Sequence, residues 1–205
     1  MVARNVDRPD RGIAEDQQRI HSHDGRIISL ANDIDDRMTQ VGTWLADGDL
    51  SGTSREIWDR QFQKKKRASI AALFPTGWHE GELLISRTRD CFNYRNSIGH
   101  STLGLRFIED GVMVWERRSS RGATEVSLDS LLPWETRLAV VYRAWTLIVY
   151  PSIPMIREYQ ISLEGVDLAG MLASDLLESD AIGNDDLRGA VAWLFPEVVD
   201  KSRHR

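Results

Sequence analysis

Apolar side chains recur at three- and four-residue steps through Ile13, Ile20, Ile27, Ile28, Ala31, Ile34, Met38, Val41 and Leu45. This spacing is the stripe of an amphipathic helix. It predicts one long helix, broken near Asp24-Gly25 and stopped at the Asp47-Gly48-Asp49 and Ser51-Gly52 turn signals. Thr53 or Ser54 is placed to cap a second helix through Ile57, Trp58, Phe62, Ile70 and Leu73, which Pro75 and Gly77 end. A third helix starts near Thr76 or Trp78, where Glu80 and Glu82 complement its positive end, and carries Leu84, Cys91 and Ile98 on its apolar line.

After His100 the period changes from helical to two. Leu103, Leu105 and Phe107 precede Asp110-Gly111, and Val112, Val114 and, on the opposite face, Met113 and Trp115 follow, which predicts a β-hairpin with a two-residue turn. Glu116 to Gly122 (ERRSSRG) then reads as an exposed basic loop, either linker or a patch for a polyanion. Ser127 or Asp129 starts the next helix, with Pro133 in its first turn and a wide apolar face of Trp134, Leu138, Val141, Trp145 and Ile148. A helix so apolar belongs at the centre of a bundle or under a partner. Tyr150-Pro151-Ser152-Ile153-Pro154 is a natural boundary, beyond which Leu168 to Leu177 and Asp185 to Phe195, the latter capped by Asn184, are short helices. The expected organisation is an all-α fold: a disordered tail over 1-11, a helical bundle with a small β-hairpin over 12-152, and a helical C-terminal extension over 153-205.

Composition narrows the function classes. The chain has 205 residues, 41% hydrophobic and 28% charged, which is ordinary for one substantial globular domain with an extension. A formal net charge of -5 excludes nucleic-acid binding through bulk positive charge, so any phosphate contact has to be local. The single cysteine, Cys91, has no internal disulfide partner and no CxxC companion. Met1 to Gly12 is polar and charged, unlike a signal peptide, and the longest apolar run, Leu138 to Tyr150, is interrupted by Arg143 and short for a bilayer. The expectation is a cytoplasmic protein with no membrane contact.

Against this background one stretch carries chemistry: Arg95-Asn96-Ser97-Ile98-Gly99-His100 joins a permanent cation, an amide and an imidazole within two helical turns. Stepping back by threes and fours from Arg95 leads to Phe92 and Thr88, which places the arginine beside the inward stripe. On a straight helix Arg95 and His100 point about 140° apart, whereas Asn96 and His100 share a face. Gly99 as a left-handed residue ending the helix would let the groups converge, and would equally reduce the motif to a helix terminus.

The pairing of Arg95-Asn96 with His100 on a helix resembles the R-x(4-6)-H motif of HEPN domains, in which the residue after the arginine is often asparagine. The order of helices, motif, hairpin and helix over about residues 13 to 152 is similar to HEPN proteins of prokaryotic defence systems. The resemblance implies a bundle of four or more helices that dimerises with two motifs facing each other. It also implies a metal-independent endoribonuclease without cofactors, acting as a toxin or abortive-infection effector. In such a site His100 is general base toward the ribose 2'-OH or general acid toward the 5' oxygen, Arg95 stabilises the charged phosphorane, and Asn96 orients His100 or a phosphate oxygen. The product is a 2',3'-cyclic phosphate, and DNA is not cut. The competing reading is a catalytically inactive HEPN-like module that binds RNA, a nucleotide or a cognate antitoxin.

Other groups add less. The run Lys64, Lys65, Lys66 and Arg67 on the second helix is either a solvated face or a patch that tracks RNA phosphates. His21, His23 and Asp24 have the types of metal ligands but read more simply as polar groups on a surface helix. Cys91 reads as a small core residue, and Trp115 beside the basic loop is positioned to stack a base.

Overall fold

The computed structural model describes residues 8-48, 54-108, 113-159, 163, 166-178 and 185-196. Among them lie seven helices and one three-stranded antiparallel sheet: α1 (Arg8–Asp47), α2 (Arg55–Asp59), α3 (Gln63–Ala71), α4 (His79–Gly99), β1 (Thr102–Phe107), β2 (Met113–Ser119), β3 (Gly122–Val126), α5 (Leu128–Tyr159), α6 (Leu168–Glu178) and α7 (Asp185–Leu194). The expected tail over 1-11 falls largely outside the described residues, and α1 already begins at Arg8.

The stripe read from the first helix is the wall of the core. Ile20, Ile27, Ala31, Ile34, Met38 and Val41 are all buried. The expected break at Asp24-Gly25 is absent, because Asp24 turns inward onto Arg117 of β2 and the helix continues past Gly25. Further along, Gly42 lies against the Trp58 ring, where a Cβ would come within 2.9 Å, so glycine lets α2 seat on α1.

The second predicted helix is two. A straight helix would align Trp58, Phe62, Lys66 and Ile70 on one face. The break after Asp59 leaves Trp58, Lys66 and Ile70 inward and turns Phe62 out to solvent, where it is 89% exposed.

The central element is α5, which packs against α1, α4, α6 and α7. Its breadth of apolar surface is thereby used within the chain, with Leu138, Val141, Ala144 and Trp145 fully buried. The Trp145 indole N–H donates to Thr88 Oγ1 at 2.9 Å, locking α5 to α4. At its start, the Ser127 and Ser130 hydroxyls accept each other's backbone N–H groups, a reciprocal cap. Pro133 lies one turn deeper than expected, and the helix runs on past Tyr150-Pro151 to Tyr159, so the boundary placed at 152/153 falls inside it.

The C-terminal helices α6 and α7 match their predicted spans and pack on α5. Two polar ties fix the first of them: Arg143 to Asp175 at 2.5 Å, and the Leu168 N–H donating to Glu80 Oε2 at 2.7 Å. The sheet is a meander in which the expected hairpin is the first half. Its β1–β2 turn at Asp110-Gly111 lies outside the described residues, and β2 continues through the segment expected to be a loop before pairing with β3. The Ser119↔Gly122 pairing leaves Ser120-Arg121 as a two-residue turn, which Gly122 permits by its φ of 123°. No helix among the described residues is long and apolar enough to cross a membrane.

Candidate functional site

Helix α4 carries the motif at its C-terminal end and stays helical through Gly99. Gly99 is not left-handed; His100 takes the cap position at φ -110°, with its N–H donating to the Asn96 carbonyl at 3.0 Å. The helix therefore does not loosen where convergence required it, and the two ends of the motif point to different places. The Arg95 guanidinium reaches back across α1 to Asn32 Oδ1 at 3.2 Å, and sideways to Asn96 Oδ1 at 3.1 Å.

Asn96 and His100 share the other side, as the helical spacing requires. Together with Asn93 and Ser97 they form one wall of an open cleft of about 620 Å3. The opposite wall is the β2–β3 turn, Ser119, Ser120 and Arg121. Arg121 is exposed, and no carboxylate pairs with its guanidinium among the described residues. The cleft thus holds the three group types sought in the motif, but its cation comes from the turn. Arg95 touches the cleft indirectly: by donating to Asn96 Oδ1 it aims the amide NH2 away from itself.

Arg121 was legible in the sequence only as part of a basic segment. Its neighbours show why the segment is not uniform. Arg117 is buried in an ion pair with Asp24, while Arg118 and Arg106 both pair with Glu116, at 2.6 and 2.7 Å. These contacts, the Arg118 hydrogen bond foremost, hold the Glu116 carboxyl below its usual range. The loop expected here is a strand, and only its last cation remains open.

The run on α3 is divided in the same way. Lys64 and Lys65 are exposed, whereas Lys66 is 1% exposed, with its ammonium 3.0 Å from Asp35 Oδ2 and 2.9 Å from Thr39 Oγ1. Lys66 is therefore a core ion pair and is corrected out of any phosphate-tracking patch. Arg67 stacks 5.3 Å from the Phe92 ring centroid; burial first, then the Arg89 charge, lowers its pKa. None of the four lines the cleft.

The remaining candidates are structural. His23 Nδ1 lies 2.5 Å from Glu135 Oε2, and Asp24 is committed to Arg117. Cys91 is buried, and desolvation pushes its thiol up to about 12, which leaves no thiolate to act as nucleophile. Trp115 is half-buried against the core and does not line the cleft.

No protein-family model, curated protein or solved structure matches the chain. The family resemblance consequently rests on the motif and the order of elements alone.

A second, smaller cavity of about 190 Å3 adjoins the cleft. It lies between the end of α4, the sheet and the start of α5, and Ser97 and Ser119 line both spaces. One side is the Trp134 indole, stacked on Tyr94 at 4.3 Å between centroids with 9° between planes.

Proposed function

We propose that the chain is an endoribonuclease of HEPN-like type, working without a metal in the cleft between the end of α4 and the β2–β3 turn. The observation that supports it is the meeting of His100, Asn96 and the unpaired Arg121 around one open space. An imidazole, an amide donor and a fork-shaped cation are the groups that a phosphodiester cleavage by the neighbouring 2'-OH requires.

In this reading His100 accepts the proton of the ribose 2'-OH. The freed 2' oxygen attacks phosphorus, the bond to the 5' oxygen breaks, and that oxygen takes a proton from water in the open cleft. The products are a 2',3'-cyclic phosphate and a free 5'-OH. Arg121 and the Asn96 NH2 donate to the phosphorane oxygens, where charge builds up most in the transition state. Arg95 is a positioning residue that holds the Asn96 amide, a role that departs from the direct one the family resemblance implies. A toxin or defence role, and a homodimer that sets two such clefts side by side, belong to the same proposal.

The test is cleavage of a mixed RNA in EDTA with analysis of the ends. Wild type should leave cyclic phosphates, and His100→Ala should slow cleavage by about 10²-fold or more. Equal cleavage by the two proteins would remove His100 from the mechanism. The alternative, an inactive module that binds RNA, a nucleotide or a cognate protein, is favoured by one observation: Arg95 is turned away from the cleft and bonded to Asn32 and Asn96. Nucleotide binding without turnover would select it.

A further inference from the structure

We propose that Arg89 of α4 and Arg67 of α3 form a second phosphate subsite just beyond the cleft, so that the ligand is an RNA strand laid along α4 and not a lone nucleotide. This rests on the reading of the cleft as the cleavage site. By helical angle Arg89, Asn93, Asn96 and His100 fall within about 60° of one another. Asn93, Asn96 and His100 line the cleft, so the face of α4 that carries the chemistry continues past its rim to Arg89. Arg89 and Asn93 are one turn apart, and about 10 Å of helix separates Arg89 from Asn96, a span for neighbouring phosphates of one strand.

Both arginines keep charge for a ligand. The Arg89 side chain is 60% exposed, and Asp90, the carboxylate beside it at 3.8 Å, is shared with Arg87 at 3.5 Å. Such an exposed pair holds an arginine weakly. Arg67 leans on the Phe92 ring, 5.3 Å from its centroid, and Phe92 lies one turn from Arg89 on α4. No carboxylate pairs with Arg67 among the described residues; Asp35, whose charge reaches it, bonds the Lys66 ammonium at 3.0 Å instead. The Arg67 Nη1 is enclosed without a hydrogen-bond partner, so packing on Phe92 and not an acid holds the group.

Two guanidinium groups near each other repel. Burial first, then the Arg89 charge, lowers the Arg67 pKa. An anion between the two relieves that repulsion, and a phosphodiester brings one negative charge with unbridged oxygens that accept from both forks. In a chain of net charge -5 such a ligand has to be held by local cations. Lys65 supplies the contrast: it is exposed on α3, about 160° around the helix from Arg67, and so faces away from α4.

Titration of the full chain over a range of salt, with uridine 3'-monophosphate and with a 2'-fluoro RNA oligonucleotide that lacks the attacking 2'-OH, tests this. The oligonucleotide should bind about tenfold or more tighter than the monophosphate. Arg89→Met should remove about tenfold of the oligonucleotide affinity and lower the slope of log K against log salt by about 0.7, the value for one phosphate of a single strand. Arg89→Lys should keep most of the slope, and Lys65→Met should change neither quantity. Unchanged affinity and slope in Arg89→Met would overturn the subsite and leave the cleft reading standing. An equal loss in Lys65→Met would also overturn it, because diffuse charge and not a local pair would then explain the binding. Failure of both ligands to bind would overturn the cleft reading together with the subsite.

Discussion

Two basic runs, Lys64 to Arg67 on α3 and Arg117 to Arg121 at the end of β2, look alike as sequence and end differently. Each sends one cation inward to an aspartate of α1: Lys66 to Asp35, Arg117 to Asp24. The two aspartates lie roughly three helical turns apart, so α1 meets both runs along one side. What differs is the remainder. On α3 the leftover lysines face open solvent, whereas at the β2–β3 turn the leftover Arg121 faces the end of α4 across a cleft. A run of positive charge therefore does not by itself place a cation at a cleft; the tertiary position of its unpaired members does.

The two inward cations should matter most for stability. Arg117→Met leaves the buried Asp24 carboxylate without its ion pair and should cost about 3 kcal/mol or more in urea unfolding. Arg121→Met should change the unfolding free energy by no more than about 0.5 kcal/mol. The same substitution should weaken inorganic phosphate binding about tenfold, because it removes the only unpaired cation lining the cleft among the described residues. A large loss of stability in Arg121→Met would show that the turn is structural and not free.

Next in size is the corresponding pair on α3. Lys66→Met should cost about 2 kcal/mol, less than Arg117→Met because the Asp35 side chain is 31% exposed and water can solvate it once the lysine is gone. Lys64→Met should be near neutral. Equal effects would contradict the inward placement of Lys66.

Smaller again is a pH effect on the sheet. Glu116 has a depressed pKa, so the stabilisation from Arg118 and Arg106 is present above the ordinary glutamate range and is lost as pH falls through the depressed value. Glu116→Gln should flatten the acid limb of the stability curve; an unchanged limb would remove this pair of contacts from the account. The least energetic test concerns Cys91, which should resist alkylation at pH 8 in the native chain and react on unfolding in urea, since burial pushes its thiol up to about 12. Rapid native labelling would show the α4 stripe to be open.

Much of the helical layout was legible because it follows from period alone. The apolar line of α1 and the spans of α4, α6 and α7 needed only the matching of three- and four-residue spacing to a buried face. The breaks were less legible. Asp24-Gly25 carries a local stop signal, but a buried arginine on a distant strand holds the helix in place; the α2–α3 break follows from turning Phe62 away from a face that Trp58 and Lys66 occupy. β3 was missed because GATEV is short and largely exposed, with no alternating apolar pattern to announce it.

Helical spacing alone puts Asn96 and His100 on one face and Arg95 off it, because helical geometry fixes angles between residues one turn apart. Which cation meets His100 follows from long-range packing. Arg95 and Arg121 are the same residue type, and both lie in polar segments; their difference lies in what packs opposite. Asn32 of α1 and Asn96 take the first, and the tight turn closed by Gly122 carries the second to the cleft. Such pairings depend on residues far apart in the chain, so no local pattern encodes them.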